Sequence, residues 1–203
     1  MAIRVPPGRA GRIWLLRRLE VARRGADVLD QKRRALLRER RRLAERLGAA
    51  ATDWELAARA AAAWNARAHA LAGQRRLRLA ALHSGTVTVA VRWRNVLGVL
   101  VPIDASFEPG VTPDFVALGG GASVALAAQA HVEALSASAV YAATRAAYEA
   151  IAVQLATTTL RLRAIEQRWI PAHEAALKTL ELTLAENELA DIVRARWASE
   201  RQQ

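Results

Sequence analysis

The sequence contains no cysteine, which excludes disulfide bonds and thiolate metal sites and permits a reducing, intracellular compartment. Aromatic residues make up only 5% of the chain, so side chains large enough to fill a thick core are scarce. No apolar run reaches the roughly 18 residues that a membrane-spanning helix needs. The N-terminus also lacks the apolar core of a signal peptide. These absences predict a soluble, cytosolic chain with a thin core.

Alanine supplies much of the 53% hydrophobic content. It has the highest helix propensity and allows helices to approach closely, so the composition favours paired helices over a globular core. The net charge of +11 is concentrated at one end. Residues 1–47 contain 15 Lys and Arg against 5 Asp and Glu, a net +10, whereas residues 145–203 contain 8 of each. The N-terminal segment is therefore where an anionic partner would bind.

The first long segment shows a spacing of seven that is typical of a coiled coil. One row consists of Leu15, Ala22, Leu29, Leu36 and Leu43, and its companion row of Leu19, Ala26, Arg33, Arg40 and Leu47. The pattern predicts a helix from Arg12 to about Ala81, with a weak point at Gly48. Gly25 costs the helix roughly 1 kcal/mol relative to alanine, so we expect another backbone to pass close to it.

Four arginines in this helix allow two interpretations. Arg38, Arg40, Arg41 and Arg42 form either a solvated helix face with extended aliphatic stems or a contact surface for an acidic partner. The residues alone leave both open.

The middle of the chain changes to alternation with a period of two, from Thr86 to Trp93. Asn95 and Gly98 mark a turn, and apolar residues resume before Pro102, so we predict a short β-hairpin. A connector rich in proline and glycine follows, ending at residues 119–121.

A second long helix is predicted from Ala122 or Ser123 to about Ser199, interrupted only by Pro171, which should bend it locally. The spacing of seven returns at Leu162, Trp169, Ala176, Thr183, Ala190 and Trp197, flanked by Leu177, Leu180 and Leu184. We predict a mainly α fold: a long antiparallel two-helix coiled coil, a rod on the order of 100 Å at 1.5 Å per residue, with a hairpin insert and both termini at one end. The predicted divisions are residues 1–83, 84–121 and 122–203.

No pattern of catalytic, metal-binding or cofactor-binding residues is present. The histidines, His69, His83, His131 and His173, lack metal-ligand spacing. The three glycines at 119–121 are not followed by the Lys-Ser/Thr of a phosphate-binding loop. Glu181, Glu186 and Glu188 are explained more simply by a solvated surface or a basic partner than by acid–base catalysis. We therefore expect a non-enzymatic chain without metal or cofactor.

Three blocks of residues, in order along the chain, resemble the D subunits of the V/A-type rotary ATPases. The first runs from Arg17 to Gly25 and continues with Leu29, Lys32, Arg33 and Leu36; the second is Trp93 to Pro102; the third includes Arg163 to Glu166, Ile170-Pro171 and Leu184 to Glu188. Two departures exist. Ala164 stands where the family has asparagine-alanine, and residues 189–191 replace an arginine-rich run.

The resemblance implies a central-stalk rotor subunit that couples ATP hydrolysis or synthesis in a catalytic hexamer to ion translocation, peripheral to the membrane. The partners it implies are the catalytic and regulatory subunits of the hexamer, the small F subunit of the central stalk and the funnel-shaped adaptor on the membrane ring, with neither nucleic acid nor direct membrane insertion. The predicted partner-contact residues are Arg17, Arg18, Gly25, Lys32, Arg33, Arg38, Arg40, Arg41, Arg42, Asn95, Gly98, Pro102, Glu166, Pro171, Glu186 and Glu188.

Two other classes compete with this interpretation. A basic coiled-coil nucleic-acid binder would explain the isoelectric point near 11.4, but the chain has no base-reading element and no aromatic platform within its basic stretch. A helical-hairpin adaptor unrelated to rotation would explain the helices alone.

Overall fold

The computed structural model describes residues 3–82, 87–108 and 121–201. The predicted fold class is confirmed, because the chain is mainly helical with a long N-terminal helix, a long C-terminal helical region and one antiparallel hairpin between them. The chain divides into two compact units. We call Met1–Arg34 with Ala156–Gln203 the terminal unit, and Ala35–Leu155 the central unit.

Helix α1 spans Gly8–Leu82. It begins four residues earlier than predicted and continues through Gly48 as expected, and the weak point at that residue stays a prediction. The non-helical residue is Gly73, with φ 78° and ψ 158°, a conformation that only glycine adopts at low cost. Gly48, unlike Gly73, keeps a helical backbone, and a Cβ built there would meet open space.

The second helical region consists of α2 (Gly121–Ala164), a π-helix (Ile165–Trp169) and α3 (Ile170–Glu200). The Ile170 amide donates to the Ile165 carbonyl, which is the i to i−5 bond of a π-helix. Pro171 follows in the first turn of α3, where a missing amide hydrogen is tolerated. Helical conformation continues past Pro171 as expected, but the irregular segment is the π-helix that precedes it.

In the terminal unit the start of α1 packs antiparallel to α3. Leu15, Leu19 and Ala26 of the predicted rows are buried, as are Leu162 near the end of α2 and His173 of α3. Ala176, Leu177, Leu180 and Leu184 are half-buried, whereas Thr183 and Trp197 are exposed. Ala190 of the C-terminal row is also half-buried, so the row is interrupted at Thr183 and ends before Trp197.

In the central unit α1 and α2 pack antiparallel around a larger apolar core. Its buried members are Leu36, Leu43, Val101, Ala147, Ile151 and Leu155. Farther along, Trp54 stacks on Tyr141 with ring centroids 5.2 Å apart. Ala68 and Ala80 then pack with Val124 and Ala127 in a second small cluster. Alanines allow this close approach, as the composition predicts.

The hairpin is longer than predicted. Strand β1 spans Thr88–Val96 and strand β2 spans Val99–Glu108. Leu97 and Gly98 form its two-residue turn, and both have positive φ, as a type I′ turn requires. Val101 places its side chain in the core of the central unit. A register shift between Arg92 and Trp93 marks a β-bulge. The predicted start at Thr86 lies outside the described residues.

Among the described residues, none of the helices is both long and apolar enough to cross a membrane.

Candidate interaction surfaces

In the arginine run of α1, one residue forms an ion pair and three form none with a described residue. Arg42 donates to Glu39 at 2.6 and 2.9 Å, and Arg94 of β1 lies 3.6 Å from the same carboxylate. These arginines, the Arg42 hydrogen bonds first, lower the pKa of Glu39. Glu39 therefore ties α1 to the hairpin, and Arg42 is occupied within the chain.

Arg38, Arg40 and Arg41 form no ion pair with any described residue. Arg38 and Arg41 are exposed and Arg40 is half-buried. Their charge is not neutralised within the described part of the chain, so of the two interpretations left open by the sequence, a contact surface fits these three better than it fits Arg42.

The predicted contact residues Lys32 and Arg33 precede this run in the sequence and belong to the terminal unit. Asp30 accepts hydrogen bonds from Arg33 at 2.6 and 2.9 Å and from Arg34 Nε at 2.7 Å, and these bonds lower the pKa of Asp30. Arg33 is therefore engaged within its own helix. Lys32 is half-buried and forms no ion pair with a described residue.

Three predicted contact residues, Arg17, Arg18 and Gly25, lie along one groove in the terminal unit. The Arg18 guanidinium sits 4.6 Å from the ring centroid of Trp14 and 6.0 Å from that of Trp169, within the range of a cation–π interaction. Trp169 in turn stacks on buried His173, with centroids 3.6 Å apart. The π-helix thus places Trp169 between a cation and an imidazole.

Gly25 does not have the neighbour that we expected. A Cβ built at Gly25 meets nothing within 4 Å, so the expected close approach of another backbone is wrong for the described residues. That approach occurs at Gly11, where a Cβ would collide with the carbonyl oxygen of Pro6. Gly25 instead leaves a flat, open position on the surface of α1.

The acidic residues of α3 mostly face basic residues of the same chain. Glu188 pairs with Arg9 at 3.0 Å, and Glu181 pairs with Arg12 at 2.9 Å. Glu174 pairs with Arg23 at 2.7 Å. Glu186 is exposed and forms no ion pair with a described residue. Of the predicted acidic contacts on α3, Glu186 is therefore available to a partner and Glu188 is already engaged.

The hairpin residues predicted as contacts have roles within the hairpin. The Asn95 side-chain oxygen accepts a hydrogen bond from the Gly98 amide at 2.9 Å, which closes the turn. Pro102 is buried and lies opposite Trp93 at the bulge, a position where a missing donor is tolerated. These residues fix the shape of the hairpin.

One face of the hairpin is apolar and only partly covered by described residues. Val89, Val91 and Trp93 are 48%, 39% and 57% exposed. They form one wall of a groove whose other wall includes Leu135 and Ala142 of α2. Alternation places Arg92 on the other face, where it pairs with Asp104.

The predicted contacts Glu166 and Pro171 are both exposed, the first inside the π-helix and the second just after it. No group of three or more described His, Cys, Asp or Glu residues could hold a metal ion. His69 and His131 are exposed, and His173 is buried with Nδ1 2.9 Å from the Trp169 carbonyl oxygen. His83 lies outside the described residues.

Sequence reasoning missed the column of Trp14, Arg18, Trp169 and His173. The spacing of seven pointed to Trp169 but to neither Trp14 nor His173. Tryptophan four residues before an arginine on a predicted helix was the available signal, since i and i+4 side chains are neighbours.

Comparison with known proteins agrees with this architecture. The family model for the ATP synthase D subunit matches residues 13–200, which include most of α1, the hairpin and α3. The chain is 30% identical over 199 residues to the D subunit of the V-type ATP synthase from Anaeromyxobacter sp. (strain Fw109-5), covering 94% of this chain and 91% of that protein. The resemblance inferred from the three blocks is confirmed, and the chain belongs to the family of ATP synthase D subunits.

Proposed function

We propose that this chain is the central-stalk rotor subunit of a V/A-type ATPase or ATP synthase. It couples ATP hydrolysis or synthesis in the catalytic hexamer to ion translocation through the membrane ring. The observation that carries the proposal is the family match, which extends over residues 13–200 and so includes both helical arms and the hairpin. In this role the chain is not itself catalytic.

The helix pairs of both units suit the transmission of torque. In the central unit, Leu36 and Ile151 are fully buried, and such packing resists deformation. In the terminal unit, the ion pairs Arg12–Glu181 and Arg23–Glu174 link the two helices. A shaft must also avoid strong adhesion to any one of the equivalent faces around it, and the ion-paired flank of the terminal unit, which is charged rather than apolar, serves this.

We assign the contact with the catalytic and regulatory subunits to the unpaired arginines Arg38, Arg40 and Arg41. A charge that is not satisfied within the described part of the chain is free to interact differently with the open and closed catalytic interfaces. Arg42 contributes less because Glu39 already holds it. The apolar hairpin face with Val89, Val91 and Trp93 is the surface offered to another stalk component, namely the F subunit or the adaptor on the membrane ring.

Co-purification tests the proposal as a whole. The tagged chain, expressed with the catalytic and regulatory subunits of the rotary complex, should be recovered in a nucleotide-hydrolysing hexamer. It should also bring down the F subunit and the membrane-ring adaptor. Recovery of the chain alone, or with nucleic acid in a salt-sensitive complex, would contradict the assignment.

The arginine assignment makes a sharper prediction. Replacing Arg38, Arg40 and Arg41 together by glutamine should slow or uncouple ATP hydrolysis by the reconstituted complex, because the charges that bias the catalytic interfaces are lost. The measurement is ATP turnover together with ion pumping. A charge-matched control replaces Arg24, Arg59 and Arg145, each of which pairs with a glutamate of its own helix. Equal turnover and coupling in the two triple variants would refute the assignment.

A further inference from the structure

The terminal unit has two different flanks along its helix pair. At about 100° per residue, Arg12 and Arg23 project to one side of the buried line through Leu15. Trp14 and Gly25 project to the other side. The first flank is closed by ion pairs to Glu181 and Glu174. The second flank has no ion pair between described residues.

We call the second flank the Trp14 groove and define it by Ile13, Trp14, Val21, Gly25 and Trp169, with Arg17 and Arg18 on its rim. Its floor is apolar: Ile13 is 53% exposed and Val21 is 68% exposed. Gly25 keeps the floor flat, because nothing stands within 4 Å of the place where a Cβ would be.

The charge of the groove has one sign. Among the described residues that line it, only Arg17 and Arg18 are charged, and none is a carboxylate. Arg17 forms no ion pair with a described residue, and Arg18 lies over two tryptophan rings. Guanidinium groups on an apolar floor complement carboxylates that flank apolar side chains.

We propose that the Trp14 groove docks an acidic amphipathic segment of another subunit of the complex. Its apolar side chains lie on Trp14, Val21 and Trp169, and its carboxylates pair with Arg17 and Arg18. This is the helix-in-groove mode of recognition, with tryptophan and arginine as the residues that contribute most to such interfaces. The inference rests on the proposed function, since the partner comes from the rotary complex.

Two matched glycine substitutions test the groove. Gly25→Leu fills the floor, whereas Gly48→Leu makes the same change on α1 in the central unit, and in both cases the new Cβ meets no neighbour. Both variants should fold and melt at or above the wild-type temperature, because leucine has a higher helix propensity than glycine. Gly25→Leu alone should weaken binding of the labelled chain to the purified catalytic hexamer, with the F subunit present, by roughly tenfold or more.

A charge reversal and a photocrosslink complete the test. Arg17→Glu with Arg18→Glu should weaken binding at least as much as Gly25→Leu. A benzoylphenylalanine at position 21 of the assembled complex should capture a segment rich in Asp, Glu and apolar residues. The same group at position 27, on the ion-paired flank, should not capture it.

Equal binding by Gly25→Leu and Gly48→Leu would overturn the inference while the proposed function stands. So would capture at position 21 of a basic segment, or of a second copy of this chain. If the wild-type chain fails to bind the hexamer at all, the proposed function fails, and the inference fails with it.

Discussion

The terminal and central units use the same helix pairing but hold it together differently. In the central unit, Leu36, Ile151 and the hairpin residue Val101 are 0–2% exposed and form one contiguous core. In the terminal unit the buried line is thinner, and three ion pairs with exposed side chains link α1 to α3. Burial of apolar side chains contributes about 1.5–3 kcal/mol each, whereas an exposed ion pair contributes about 0.2–1 kcal/mol. The stability of the central unit should therefore change little with salt concentration, whereas the stability of the terminal unit should depend on it.

The largest expected effect comes from opening the core of the central unit. Ile151→Ala removes a fully buried side chain and should lower the free energy of unfolding by about 2–5 kcal/mol, from lost burial and the cavity left behind. Leu160→Ala on the same helix, where the side chain is 66% exposed, should change it by less than about 0.5 kcal/mol. Urea denaturation followed by circular dichroism measures both. Similar losses in the two variants would show that the core does not lie where the structure has it.

The α1 side of this core could be predicted from the sequence. The spacing of seven picks out Leu36 and Leu43 here and Leu15 in the terminal unit, all of which are buried, because burial on a helix repeats with the helical period. The α2 side, with Ala147 and Ile151, is not in a predicted row. Gly98 predicts the turn because glycine tolerates the positive φ required there, and Asn95 predicts it because its side-chain oxygen can accept the Gly98 amide. Both signals depend only on residues that lie close together in the sequence.

The parts that could not be predicted depend on register between segments. Glu181 and Glu188 are visible as an acidic cluster, but their partners Arg12 and Arg9 follow only from how α3 aligns with α1. The π-helix leaves no sequence mark of its own, although its i to i−5 bonding changes the direction in which the residues after it project. The Trp14 groove depends on both, because Trp169 comes from the π-helix, so only Arg17, Arg18 and Gly25 of its α1 side were predicted as contacts.

An effect of intermediate size concerns how added salt changes the stability of each unit. In a double-mutant cycle of Arg12→Gln and Glu181→Gln, the coupling free energy should be about 0.2–1 kcal/mol at low ionic strength. It should approach zero at about 1 M NaCl, since salt screens exposed charges. Amide hydrogen exchange compares the salt sensitivity of the two units. Protection of amides around Leu15 should fall with added salt, and protection around Ile151 should not. Equal salt sensitivity in the two regions would refute the charge-tuned terminal unit.

The smallest expected effect concerns acid, and it compares Glu39 of the central unit with Asp30 of the terminal unit. Hydrogen bonds from Arg42 lower the pKa of Glu39 below its ordinary 4.5, and those from Arg33 and Arg34 lower the pKa of Asp30 below its ordinary 3.8. A carboxylate with a lowered pKa stabilises the folded state above the ordinary value, and this stabilisation is lost as pH falls through the folded-state pKa.

Glu39→Gln should therefore melt at a lower temperature than wild type at pH 7, and the gap should close as pH falls below 4.5. Asp30→Asn should behave alike below 3.8, with a smaller gap. The reason for the difference is that Asp30 pairs only within one turn of α1, while Glu39 also faces Arg94 of the hairpin, at 3.6 Å. Melting curves from pH 7 to pH 3 measure both gaps. A larger gap for Asp30→Asn would mean that the bridge from α1 to the hairpin contributes less than a local pair on one helix.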